Sequence, residues 1–367
     1  MSTLLPPFCE PLPYSSDSSD YFNRIRHLPW PVFFDSTTDT TLNSRYDIIA
    51  AAPFKTLTTH GQQTTIETHE STDIISGDPF QVLQQQLSEH PKQATTNLPF
   101  CGGAIGLFSY DLGRQIEDLP NIAANQENAA DMLVGLYDWA VVIDHKLKQC
   151  YLASFKLDAS TEQSWQQLIS LLNADQMPPQ QTMTVSGSLN SQLGTTQYNT
   201  AFDKIKEYIR EGDCYQVNLA KRFEIAAEGD PWHVYALLRK QNAAPFSCFF
   251  DTPNLSIISS SPERLLKLKQ GQVETKPIKG TRPRDLTNPK RDIALANELQ
   301  NSIKDRAENL MIVDLLRNDL GKACQSGSIN VPKPFALETF ATVHHLVSTI
   351  TGMLAEHETA VSLLRAC

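Results

Sequence analysis

Apolar and polar residues alternate through the first third of the chain in a pattern that predicts strands. Trp30 to Phe34 is aromatic and β-branched, Tyr46 to Ala51 is apolar, and polar residues from Ser36 to Asn43 separate them. Strand character returns at Ala140 to Ile143 and Gln149 to Ser154. Between these, Cys101-Gly102-Gly103-Ala104-Ile105-Gly106 lacks both the Lys-Ser/Thr ending of a phosphate loop and the full G-x-G-x-x-G spacing. Its glycines predict close backbone packing within a sheet. Residues 174–195 are rich in Gln, Ser, Thr and Pro, and predict a linker between an N-terminal lobe, residues 1–173, and a C-terminal region, residues 196–367. Beyond it, Tyr198, Phe202, Ile205 and Ile209 recur at helical spacing up to Gly212, and Cys214 to Phe223 reads as a strand. Ile303 to Leu320 predicts a helix with Leu310, Val313, Leu316 and Leu320 as its apolar stripe and Gly321 as its stop. Strands and helices mix without a βαβ rhythm, which predicts an α+β fold.

A hairpin is expected from Ser256 to Lys276, with its turn at Gly271. A two-residue turn at 270–271 sets residue 263 opposite 278; a three-residue loop sets it opposite 279. Either way Glu263 and Lys279 emerge at the same end, and strand alternation favours the longer loop or a bend at Pro277 if both are to share a face. A carboxylate and an amine so placed can divide acid/base and nucleophilic work. Spacing alone favours the plainer account, a cross-strand surface pair. Glu308, near the start of the helix predicted from Ile303, is chemically a hard-metal ligand or an acid that complements the helix dipole. The adjacent His344 and His345 cannot both face one side of a strand, which argues against a two-His metal site and leaves one as a possible proton donor.

Composition narrows the classes. The chain has 367 residues, 41% of them hydrophobic and 20% charged, with a net charge of −10. That excludes wholesale disorder and disfavours a nucleic-acid partner. Seven cysteines lie at 9, 101, 150, 214, 248, 324 and 367, with no C-x-x-C pair, so reduced thiols in a cytoplasmic protein are expected. The N-terminus has no basic, apolar signal pattern, and no apolar run is long enough to span a bilayer.

Four segments carry a resemblance to a known family: Ser260-Ser261-Pro262-Glu263, Pro277-Ile278-Lys279-Gly280-Thr281-Arg282-Pro283-Arg284, Lys304 to Asp319, and His344 to Ser348. In this order they resemble the chorismate-utilising enzymes of the anthranilate synthase component I family. Anthranilate synthases read P-I-A-G-T where the aminodeoxychorismate synthase branch, like this chain, reads P-I-K-G-T. The resemblance implies two interleaved lobes on large, mainly antiparallel sheets packed face to face, with helices outside. It implies chorismate as substrate, Lys279 as the nucleophile at ring C2, Glu263 as the acid that protonates the departing 4-hydroxyl, and His345 as an active-site histidine. Glu308 matches a Mg²⁺ ligand. A lysine whose free pKa is about 10.4 needs desolvation or nearby positive charge to act as an amine, and Mg²⁺, Arg282 and Arg284 are candidates for the latter.

The resemblance further implies a tryptophan pocket formed by Ser36, Asn43, Ser44, Arg45 and Tyr46 on one side and Pro245, Phe246 and Ser247 on the other. Tryptophan there would be a structural ligand. Ammonia is implied to come from a separate glutaminase subunit. The family continues past the segment Leu363 to Cys367 into a F-P-x-G-S-x-T-G-A-P-K motif and a second metal carboxylate, so the chain is expected to be shortened at its C-terminus and inactive alone. Two alternatives accompany this reading: an anthranilate synthase component I, against which Lys279 argues, and an inactive relative that only binds tryptophan or the glutaminase subunit.

Overall fold

The computed structural model describes residues 7–36, 44–90, 96–122, 125, 127–174, 181–340 and 342–367. The chain begins with β1 (Phe8–Leu12), α1 (Ser19–Ile25), β2 (Val32–Asp35), β3 (Tyr46–Ala50), β4 (Lys55–His60), β5 (Gln63–Thr68), β6 (Thr72–Ser76) and α2 (Pro79–Ser88). There follow β7 (Gly103–Phe108), a 3₁₀ turn, β8 (Met132–Tyr137), β9 (Trp139–Asp144), β10 (Gln149–Ser154) and α3 (Ala159–Leu172). The middle holds β11 (Thr184–Ser191), α4 (Thr195–Glu211), β12 (Phe223–Glu228) and α5 (Pro231–Gln241). The remainder is β13 (Phe246–Thr252), β14 (Leu255–Ser261), β15 (Lys267–Lys269), β16 (Gln272–Thr275), β17 (Ile278–Pro283), α6 (Pro289–Asn301), α7 (Ile303–Ala323), β18 (Asn330–Thr339), β19 (Val343–Met353) and α8 (Ala360–Ala366).

The fold is α+β, as expected. An antiparallel sheet in the order β1-β10-β9-β3-β2-β13-β14 faces a second in the order β6-β5-β4-β8-β7. Val32, Ala50, Ala140, Val142 and Phe250 of the first pack against Ile105, Leu133 and Tyr137 of the second. Strands β8 and β9 are buried along their whole length, as the apolar runs Met132–Tyr137 and Trp139–Ile143 require, with Asp144 closing β9. The other face of the second sheet is covered by Phe80, Val82 and Leu83 of α2 and Val361 of α8. A third sheet, β15-β16-β19-β17 with β18 also on β19, packs Val273 and Ile350 against Val313, Leu320 and Ala323 of α7.

The chain forms two compact units, Met1–Pro178 with Leu238–Cys367, and Pro179–Leu237. This differs from the expected division at residues 174–195. Strands β13 and β14, from the expected C-terminal region, complete the N-terminal sheet by pairing with β2. The expected linker itself contains β11, which pairs with β12, so its polar residues are those of an exposed two-stranded ribbon. Cys214 to Phe223 is irregular where a strand was expected; β12 begins only at Phe223. Helix α4 matches its predicted span and ends at Gly212, whose φ of 88° needs no Cβ penalty. Helix α7 runs through Gly321, which was expected to stop it, because Ala323 still reaches the apolar core.

The glycine-rich stretch becomes β7, and close packing explains it. A Cβ on Gly106 would stand 2.0 Å from the Leu133 carbonyl oxygen and 2.7 Å from the Val134 Cα on β8. Both neighbours are backbone and cannot swing aside. Gly106→Ala is expected to cost about 3 kcal/mol or more by forcing β7 from β8. Urea denaturation checks this, and an unchanged midpoint would refute it.

Candidate active site

The expected hairpin from Ser256 to Lys276 forms only over Lys267 to Thr275, with the shorter turn, because Leu255–Ser261 pairs with β13 in the first sheet instead. Gln270 and Gly271 have φ of 52° and 78°, and Lys269 pairs with Gln272, so the loop has two residues, not the three that alternation favoured. Residue 263 lies outside the paired strands, in the turn after β14, and its carboxylate accepts the Ile278 N–H at 2.8 Å. The strand breaks at Lys276-Pro277, as a bend there requires, and resumes as β17 on the same neighbour, β19.

Parity is then changed by a second irregularity. Ile278 pairs with Val347 and Thr281 with His345, so Lys279 and Gly280 together stand against the single residue Leu346. This is a β-bulge, and it releases Lys279 from strict strand alternation next to the residue that holds Glu263. Gly280 has a φ of 90°, and a Cβ there would meet Asp305 Cβ and Leu299 Cδ1, each at 2.9 Å. Only glycine lets the bulge lie this close to α6 and α7. Glu263 is exposed and Lys279 half-buried. The structure thus brings these two together.

Arg282 and Arg284 do not supply free positive charge to the lysine, contrary to expectation. Arg282 donates to Glu298 at 2.8 Å and to Asp305 at 3.1 Å. Arg284 grips both oxygens of Asp292 at 2.9 and 3.0 Å. Each guanidinium is matched by an acid from α6 or α7 and fastens that helix to β17. The Arg284 hydrogen bonds hold the Asp292 carboxyl well below the usual carboxylate range.

The two histidines separate as alternation demands. His344 is buried against α6, with Nε2 3.1 Å from Asp292 and Nδ1 2.9 Å from the Thr339 hydroxyl. His345, on the other face, has Nδ1 2.9 Å from Thr281 Oγ1 and its ring tilted on Phe340 at 5.3 Å between centroids. Burial pushes the His345 pKa down, while a backbone hydrogen bond with Gly280 and the charges of Glu263 and Glu338 pull the other way. A neutral imidazole results, suited to accept a proton or a hydrogen bond. A cavity of about 470 Å³ lies beside it, lined by His345, Phe340, Pro262, Ser260, Pro245 and Ser44 among others.

Glu308 is half-buried on α7, one turn past Asp305. The next residue, Asn309, is fully buried, accepts the Ser348 hydroxyl at 2.5 Å and donates to the Leu346 carbonyl at 3.3 Å, so α7 is docked on β19 at this level. Among the described residues no three His, Cys, Asp or Glu side chains gather into a metal site. A single carboxylate fits magnesium only in the common arrangement of one or two protein carboxylates completed by water and substrate oxygens.

The expected tryptophan-pocket residues converge as well, except Asn43, which lies outside the described residues. Strand β2 runs antiparallel to both neighbours, β3 and β13, so Ser36 after β2, Ser44 to Tyr46 at the head of β3, and Pro245 to Ser247 at the head of β13 share one end. Several polar groups there are already engaged. The Ser36 N–H and hydroxyl donate to Asp47 at 2.7 and 2.8 Å, Arg45 pairs with Asp144 and lies over the Tyr46 ring, and Ser247 donates to the Ala244 carbonyl. The Phe246 ring carries Arg264 over its face.

Sequence reasoning missed the support of this end. Buried Asp47 also accepts from Ser18 at 2.5 Å and bonds His145 Nε2 at 2.8 Å, while Tyr14 meets His145 Nδ1 at 3.1 Å. Nothing in the spacing of residues 14, 18, 47 and 145 signals this. Burial would raise Asp47, but the bonds from His145, Ser18 and Ser36 outweigh it and hold the carboxyl low. The hydrogen bond to Asp47 raises His145 against its burial. A raised histidine pKa stabilises the fold fully below the unfolded value, near 6.5, and that contribution fades as pH rises through the folded value. The parent is therefore expected to lose urea resistance from pH 6 to 8.5, and His145→Gln to lose less over that interval. Equal slopes would exclude the linkage.

Comparison with known proteins places this geometry. The chorismate binding enzyme family matches residues 31–367. The chain is 44% identical to aminodeoxychorismate synthase component 1 of Escherichia coli (strain K12) over 368 residues, covering 100% of this chain and 80% of that protein. It is 32% identical to the protein of the same description from Bacillus subtilis (strain 168), covering 97% of this chain and 76% of that one. The crystal structure of anthranilate synthase component I from Streptococcus pneumoniae TIGR4 superposes with a TM-score of 0.78 at 28% identity, covering 89% of this chain and 73% of that one.

Proposed function

The chain belongs to the family of chorismate binding enzymes, and on that premise we propose that it converts chorismate and ammonia to 4-amino-4-deoxychorismate. The observation that carries this choice within the family is Lys279 in the bulge between Ile278 and Thr281, beside the carboxylate held by the Ile278 N–H. The full-length likeness to aminodeoxychorismate synthase component 1 supports it. An anthranilate synthase reading draws on the 28% identical solved structure, but P-I-A-G-T in that branch has no nucleophile at this position.

In this reading the Lys279 amine attacks ring C2, the ring double bonds shift toward C4, and the 4-hydroxyl leaves as water with a proton from Glu263. Ammonia then adds at C4, the double bonds return, and the C2–nitrogen bond breaks to free the lysine. Glu263 has access to solvent and one backbone donor, which orient it and allow it to regain its proton between steps. His345, neutral and anchored by Thr281, serves as a fixed hydrogen-bond partner for the substrate or its departing water. Glu308 is the proposed protein ligand of Mg²⁺, which when bound would offset the charge of the ring carboxylate.

Ammonia is proposed to come from a separate glutaminase subunit, in keeping with the "component 1" of the relatives' description. The product would serve 4-aminobenzoate and folate synthesis in the cytoplasm. All seven cysteines are free thiols, and no described helix is long and apolar enough to cross a membrane. Tryptophan is proposed as a ligand between Ser36, Ser44 to Tyr46 and Pro245-Phe246.

Incubation of a full-length version, extended through the family's C-terminal motif, with chorismate, Mg²⁺ and excess ammonium salt tests the function without the glutaminase. Aminodeoxychorismate is expected; anthranilate instead would select the rival. Lys279→Ala is expected to lower amination by roughly a hundredfold or more and to abolish any covalent adduct seen by mass spectrometry. Amination at the parental rate in that variant would remove Lys279 from the mechanism. For the second ligand, Ser36→Trp fills the proposed pocket and is expected to weaken tryptophan binding by roughly tenfold or more, about 1.4 kcal/mol, in calorimetry. Undiminished binding would put the ligand elsewhere.

A further inference from the structure

One pair of charged residues beside this site has no part in the chemistry above. Lys276, at the junction of β16 and β17, forms an ion pair with Glu338 of β18. Both side chains are largely shielded, at 23% and 25% exposure, so the pair is less screened than a surface bridge. Its location follows from the register. His345 of β19 stands opposite Thr281 on β17 and opposite Glu338 on β18. Directly opposed residues in antiparallel strands project to the same face, so Thr281, His345 and Glu338 form one row across three strands. The Thr281–His345 hydrogen bond confirms the first half of that row. Lys276 lies three residues before Lys279, and to reach Glu338 it crosses β19.

We propose that Lys276 and Glu338 are a positioning pair for the site: the pair ties the strand that leads into the Lys279 bulge to β18, and Lys276 offsets the carboxylate charge that the row sets beside the His345 ring. This rests on the reading of His345 as a site residue. The charged groups around the imidazole support it. Glu263 comes from the turn after β14 and Glu338 from β18, and both charges favour a protonated ring. The cation of β17 nearest in sequence, Arg282, is matched by Glu298 and Asp305 on the helix side. Lys279, two residues from Thr281, is assigned to the chemistry as an amine. Lys276 is therefore the group whose charge balances Glu338. Without it a shielded carboxylate would face the histidine uncompensated and draw a proton onto it.

The test reads His345 directly, apart from catalysis. The full chain carrying ¹³C-labelled histidine is titrated by NMR, and His345→Gln identifies the His345 signal. Lys276→Met is expected to shift the His345 protonation equilibrium toward the protonated form by roughly three- to tenfold, an upward move of its midpoint. Glu338→Gln is expected to move it downward, Lys276→Met with Glu338→Gln to lie between the two single variants, and Lys276→Arg to restore the parental midpoint. A midpoint in Lys276→Met equal to the parent's overturns the proposal and leaves a merely structural bridge. If Lys276→Met does not fold, the near-isosteric Glu338→Gln decides, since a midpoint that is unchanged or raised there refutes the charge balance. Loss of the aminodeoxychorismate reading would appear in the parent's product assay, whereas this titration stands or falls without turnover.

Discussion

Strand β19 is committed on both edges and both faces, and the candidate site follows from that crowding. One edge carries β16 and β17, the other β18. One face turns His344 to Asp292 of α6 and Ser348 to Asn309 of α7, while the opposite face carries His345. Because successive side chains must point apart, a strand so held has no freedom to exchange the two histidines. The bulge in β17 is measured against the same ruler. Lys279 and Gly280 share Leu346 as their partner only because Val347 and His345 on either side are already paired. A slip of β19 by one residue would send His345 to the helices.

Charge around the site is arranged chiefly to hold pieces of structure together. Arg282 and Arg284 look from sequence like the electropositive surroundings of a nucleophile, yet their partners are Glu298, Asp305 and Asp292. Buried or half-buried guanidinium groups require such partners, and the acids come from the two helices that lie against β17. The arginines therefore set where α6 and α7 sit, and through α7 the height of Glu308. Local electrostatics near the imidazole fall instead to Glu263, Glu338 and Lys276.

The sequence made the order of elements legible where a residue's own preference decides the outcome. The turn at Gly271, the helix ending at Gly212 and the opposed histidines are of that kind, since glycine conformations and strand parity need no distant partner. The proximity of Glu263 and Lys279 was legible only in part, from counting back and forth across the Gly271 turn, because the strand before Glu263 joins a different sheet. What was not legible depends on partners. A polar stretch such as Thr184–Ser191 is a strand because β12 lies beside it, and the apolar Cys214 to Phe223 is not one, because strand formation reflects neighbours more than intrinsic preference. The bulge at Lys279-Gly280 is likewise invisible in the hairpin's own arithmetic, because β19 creates it. Gly321 fails as a stop because the packing of Ala323 outweighs its helix penalty of about 1 kcal/mol.

The same distinction bears on the tryptophan-pocket residues. Ser36, Arg45 and Ser247 are the residues that a resemblance would nominate to hold a ligand's polar groups, yet each already bonds to Asp47, Asp144 or the Ala244 carbonyl. A buried carboxylate such as Asp47 must be satisfied whether or not a ligand is present, and it is, by Ser18, Ser36 and His145 together. The network therefore shapes this end of the sheet in advance, with Ser36 fixed by two bonds to one oxygen. The proposed recognition of tryptophan at a surface so preorganised would draw on groups left over after the fold is satisfied, chiefly main-chain atoms, because the rings of Tyr46 and Phe246 already lie under Arg45 and Arg264. The serines hold the wall in place, and the ligand, where it binds, meets the wall rather than completing it.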